Sequence, residues 1–93
     1  MSLSPQKLRD LAANAPIRET ANAAMSVVNA LSGFQHPGVR LLALAAAFRQ
    51  MQEASGLSAS DLLLYTDNAL YEYGLRRPEF AAVRDYIEQE ILA

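Results

Sequence analysis

The chain has 93 residues, with eight Lys or Arg against ten Asp or Glu, one histidine and no cysteine, and 52% of it is hydrophobic. That length makes one domain. The apolar content excludes a disordered tail, and the lack of cysteine excludes a disulfide framework, a thiolate nucleophile and a Cys-ligated metal.

Charged residues, at 19%, fall below the roughly 25% usual in soluble proteins. A small domain so poor in charge tends to cover part of its surface with a partner or a second copy, so a homo-oligomer is expected, most simply a dimer. The basic residues are dispersed, with no footprint for nucleic acid. No apolar run reaches the ~18 residues of a membrane span; the longest, Val39 to Phe48, is broken by Arg40. The N-terminus lacks the layout of a signal peptide, which makes the cytoplasm the expected compartment.

The predicted elements are all helical. Ser4-Pro5 reads as an N-cap followed by proline at the first helical position, where a missing N–H costs nothing. A short helix over 5–13 follows, with Leu8, Leu11 and Ala12 on one face. Residues 1–15 are set apart as a loosely packed N-terminal arm of a single domain over 1–93. The second helix, 16–32, carries Ile17, Ala21, Ala24, Val28 and Leu31 at spacings of 4, 3, 4 and 3, a stripe on one side.

Gly33-Phe34, Gly56-Leu57 and Gly74-Leu75 each pair a glycine with an apolar residue, the signature of a left-handed helix stop. The apolar member is expected to fold back on the last turn, against Val28, Met51 and Leu70 respectively. The third helix, 37–55, starts at His36-Pro37 and carries Leu41, Leu44, Phe48 and Met51 on one stripe. Because it is apolar nearly all round from Leu41 to Phe48, it is expected to be the central buried helix, with Arg40 and Arg49 marking its outer face.

The fourth helix, 59–73, opens on Ser58-Ala59-Ser60-Asp61, a capping-box pattern with Asp for Glu. Its inner face reads Leu62, Thr66, Ala69, Leu70 and Tyr73, while Leu64 and Tyr71 point outward. The fifth, 78–92, opens at Arg77-Pro78-Glu79 and carries Phe80, Val83, Ile87 and Ile91 on its apolar stripe. The expected fold is an all-α, compact bundle of about five helices with antiparallel neighbours.

Chemistry is scarce in this pattern. A nucleophilic triad needs a base and an orienting group, and the lone His36 reads as a capping residue. Glu88 and Glu90 lie on different faces of a helix, as do Asp61 and Asp67, so no carboxylate metal site converges, and the four isolated glycines make no phosphate loop. The expectation is therefore no enzyme, no cofactor and no metal.

Phe48 to Tyr65, turning at Gly56, has the outline of a helix–turn–helix. Its reading surface offers Ser58, Ala59, Ser60, Asp61, Leu64 and Asp67, with no Arg, Lys, Gln or Asn in the first two turns to reach base edges. Two aspartates there repel phosphates. A capped hairpin is the favoured reading, with nucleic-acid binding through Gly56 the alternative. The outward Leu64 and Tyr71, joined by Tyr86, form the candidate protein-interaction surface.

His36-Pro37-Gly38-Val39-Arg40, the Ala-rich run to Phe48, Gly56-Leu57-Ser58, Asp67-Asn68, and Arg77-Pro78-Glu79-Phe80-Ala81-Ala82-Val83 with Tyr86 resemble a class of short uncharacterised proteins of bacteriophages and prophages. The resemblance spans residues 36–92. It implies an accessory protein acting in the bacterial cytoplasm by binding another macromolecule, and it brings no enzymatic site.

Overall fold

The computed structural model describes residues 3–93. In order these form α1 (Pro5–Ala13), α2 (Ile17–Ala30), a 3-10 turn (Leu31–Gly33), α3 (Pro37–Ser55), α4 (Ala59–Leu70), a hairpin of β1 (Tyr71–Glu72) and β2 (Leu75–Arg76), α5 (Pro78–Tyr86) and a π turn (Ile87–Ile91). The result is a helical domain with one very small hairpin. Its thinnest dimension is 21 Å, about two helix diameters.

The starts follow the capping signals. Ser4 Oγ accepts from the Lys7 N–H at 3.2 Å, Ser58 Oγ accepts from the Asp61 N–H at 3.1 Å, and His36 Nδ1 accepts from the Gly38 N–H at 3.0 Å. Each satisfies a donor that the first helical turn leaves free. Proline stands at the start of α1, α3 and α5.

The core lies between α2 and α5, the helices in most extensive contact. Its buried side chains are Ala21 and Val28 of α2, Phe80 and Val83 of α5, Ile91 of the π turn and Leu57 of the loop before α4. The two stripes read from the sequence make this core, with Ile17, Ala24, Leu31 and Ile87 half-buried at its margins.

Four expectations need correction. First, α3 is not the central helix. None of its residues is buried, and it makes no extended contact with another helix among the described residues. An all-round apolar helix has no preferred face, and the small core is already closed by the two amphipathic stripes.

Second, Arg40 does not mark an outer face. Its guanidinium donates to the carbonyls of Phe34, Ser32, Glu90 and Ile91, the last two at 2.9 Å. It clamps the end of α2 to the C-terminal π turn, supplying donors to carbonyls that ending helices leave unpaired.

Third, α4 ends at Leu70, not Tyr73. Tyr71 pairs with Arg76 and Glu72 with Leu75 in an antiparallel hairpin. Its two-residue turn has positive φ at Tyr73 (52°) and Gly74 (77°), the signs of a type I′ turn. Tyr73 thus leaves the inner face and stands 95% exposed.

Fourth, of the three glycine stops only Gly56 ends a helix in left-handed geometry. Its φ is 76°, and Leu57 behind it is buried. Gly33 sits inside the 3-10 turn, Phe34 after it is exposed, and Gly74 belongs to the hairpin.

The N-terminal segment is helical over Pro5–Ala13 with no buried residue. It is tied down by Arg9, which donates to Asp61 Oδ2 at 3.5 Å, and by Pro5, whose ring stacks close over Gly56. Residues 1 and 2 of the expected arm lie outside the described residues.

Candidate protein-interaction surface

Of the three candidate residues, Leu64 and Tyr71 are exposed and Tyr86 is half-buried. Leu64 lies on α4 with more than half its surface exposed, next to the exposed Leu63. Tyr71 lies on β1, one side of its ring covered by the Arg76 guanidinium 5.6 Å from the ring centroid, and its hydroxyl accepts from Arg76 at 3.3 Å. Tyr86 is turned elsewhere. It is half-buried, and its hydroxyl donates to Asn29 Oδ1 of α2 at 2.7 Å, so it serves the α2–α5 packing.

A larger apolar surface lies on α3. Leu41 is 62% exposed, Leu44 37%, Phe48 38% and Met51 72%, and Val39 and Leu42 are exposed beside them. Its only charged residues are Arg40, engaged by carbonyls, and Arg49 and Glu53, paired at 3.0 Å. One helix therefore presents a long apolar face with no free charge on it. The Leu41–Met51 stripe is visible in the sequence; the sequence does not say whether a core or a partner covers it.

The structure adds a feature that periodicity does not suggest. A cleft of about 750 Å³ opens between α2, α4 and α5, with Ile17, Ala24, Tyr65, Leu70, Phe80 and Arg77 in its walls. Its ionisable lining groups are Tyr65 and Arg77, with no carboxylate or imidazole to act as a general base. Arg77 is held by the end of α4 and by the hairpin. It donates to Glu72 Oε2 at 3.1 Å and to the Asn68 carbonyl at 3.4 Å, and its backbone N–H donates to the Leu70 carbonyl at 2.7 Å. Arg77 thus joins the end of α4, the hairpin and the start of α5. Its Nε is buried without a partner.

The candidate helix–turn–helix of the sequence falls on α3, Gly56 and α4. Asp61 at its candidate reading surface is occupied by Arg9, while Asp67 and Asn68 are exposed. No helix among the described residues is long and apolar enough to cross a membrane. No known family model matches the chain, and neither a curated protein nor a solved structure matches it.

Proposed function

We propose that the chain is a non-catalytic protein-binding module that self-associates, an accessory protein of a phage or prophage working in the bacterial cytoplasm. The observation that carries the binding part is α3: 19 residues with none buried, presenting Leu41, Leu42 and Met51 largely to solvent. Contiguous exposed apolar surface of this kind marks interaction sites in soluble proteins. The low charge content supports the same reading. The phage origin rests on the residue resemblance alone.

Sedimentation velocity of the purified protein tests self-association. The expected result is a species of twice the chain mass that dissociates on dilution. Tyr71→Ser, compared alongside, reports whether the Leu64–Tyr71 surface contributes; a weaker dimer is expected if it does. A strict monomer at high concentration contradicts self-association.

The alternative, nucleic-acid binding through the Gly56 hairpin, is favoured only by the shape of that turn. Duplex DNA at low salt is expected to leave the sedimentation profile unchanged. A salt-sensitive shift would move the reading to DNA.

A further inference from the structure

We infer that the cleft between α2, α4 and α5 is a binding site for a medium-chain alkyl carboxylate. The Arg77 guanidinium takes the acid group, and the walls supplied by α2 and α5 take the alkyl chain. This goes beyond self-association and does not depend on it.

Three observations carry it. The first is volume. At about 750 Å³ the cleft falls inside the roughly 300–1,000 Å³ of small-molecule sites. A gap of that size is not a packing defect, since interiors hold few voids larger than a water molecule.

The second is the distribution of polar groups, which gather at one end. Arg77 lines the cleft and donates to the Asn68 carbonyl at 3.4 Å. Tyr65 and Asn68, both in the lining and three positions apart on α4, share a side of that helix. Thr20 and Thr66 also line the cleft. Each of their hydroxyls donates to a carbonyl four residues back, at 2.7 Å to Pro16 and 2.8 Å to Leu62, so those donors are spent. Beyond Arg77 the wall turns apolar. Phe80, Val83 and Ile87 follow one another along it, and Ile87, ten positions on, lies about 15 Å along the helix. Ile17 and Val28 of α2 also line the cleft. This layout fits a polar head at one end and an alkyl chain along the rest.

The third is charge. Arg77 brings a cation to the cleft, and no Asp or Glu lines it. The Arg77 side chain is only 24% exposed, so its charge is costly without close partners. Of the five N–H donors of a guanidinium, two are engaged, by Glu72 and by the Asn68 carbonyl. Its Nε is buried with no acceptor among the described residues. A carboxylate presents two oxygens to such a fork. Glu72, which does not line the cleft and is more than half exposed, is the group it competes with. A cationic head finds no counter-charge in this lining.

The test titrates the full chain with decanoate, decanol and decyltrimethylammonium, each below the concentration at which it aggregates. Binding is followed by NMR of the methyl groups and of the Arg77 Nε–H. Decanoate is expected to bind one to one and to shift that N–H together with the methyls of Ile17, Val28 and Ile87. Decanol is expected to bind at least about tenfold more weakly, and the cation more weakly still. Octanoate, two methylenes shorter, is expected to lose about tenfold against decanoate. Ala69→Leu, which fills the cleft from α4, is expected to abolish binding of decanoate and decanol alike. Glu72→Gln removes the competing carboxylate and is expected to tighten decanoate several-fold while leaving decanol unchanged. A purely structural Arg77–Glu72 pair predicts no such gain.

Equal affinity for the three head groups overturns the site, as does the absence of saturable binding. Shifts confined to the exposed leucines of α3 overturn it too. Arg77→Gln is expected to bring decanoate down to the affinity of decanol, and a decanoate affinity that survives this change contradicts the assignment. Because Arg77 also joins α4 to α5, that variant is open to unfolding. The Glu72→Gln comparison then decides alone, and decanoate bound no more tightly than by the wild type contradicts the assignment.

Discussion

Two residues hold conformations or contacts that their sequence neighbours do not announce. Tyr73 occupies the first turn position with φ of 52°, where a residue with Cβ is strained and Asn or Gly is preferred. With its side chain 95% exposed, no packing within the chain offsets that strain. Tyr73→Asn is therefore expected to stabilise the fold by about 0.5–1 kcal/mol, read as a rise of a few degrees in Tm. An unchanged or lower Tm would show that the ring contributes to the fold. Arg40 is the opposite case, a surface cation whose guanidinium serves four backbone carbonyls. Arg40→Met keeps most of the stem and removes the donors. Because the site is only part-buried, the cost is expected at about 1–2 kcal/mol in urea unfolding. No change in midpoint would mean that water replaces the clamp. Neither role was legible in the residues. Arg40 interrupts an apolar run and so reads as an outer-face marker, and its carbonyl partners near Ile91 lie 50 positions away.

At the scale of elements, the starts were legible and the stops only partly so. Ser4-Pro5, His36-Pro37 and Ser58 act locally, through a side chain or ring and a backbone N–H two or three residues on, so sequence suffices. Gly-apolar pairs are ambiguous because glycine permits a positive φ in a helix stop and in a hairpin turn alike. At Gly56 the pair ends a helix; at Gly74 a preceding Tyr with positive φ turns it into a hairpin. Gly56→Ala is accordingly expected to be costly. It places a Cβ on a φ of 76° and within 2.8 Å of the Pro5 ring, so a loss of about 1–2 kcal/mol is expected. Since the same contact docks α1, faster amide exchange over Pro5–Ala13 should accompany it; an α1 as protected as in the wild type would show that the helix is held elsewhere. The amphipathic stripes of α2 and α5 were readable for the same local reason, whereas the stripe of α3 was readable only as apolar. Periodicity marks the face that leaves water and not the molecule that receives it.

For the whole molecule, the small core and the open α3 face belong together. The buried side chains are few and come mainly from α2 and α5, and small domains that bury little surface commonly gain stability by oligomerising. On the proposed self-association, dimer formation would add to the stability of each chain in a concentration-dependent way. The outward Leu64 and Tyr71 remain a separate, smaller surface, and Tyr86 is committed to Asn29. Sedimentation equilibrium of the wild-type protein across a wide concentration range addresses this most directly. The mass is expected to approach twice the 10.2 kDa of one chain and to fall toward a single chain mass on dilution. A single-chain mass at every concentration for the wild type would contradict the account.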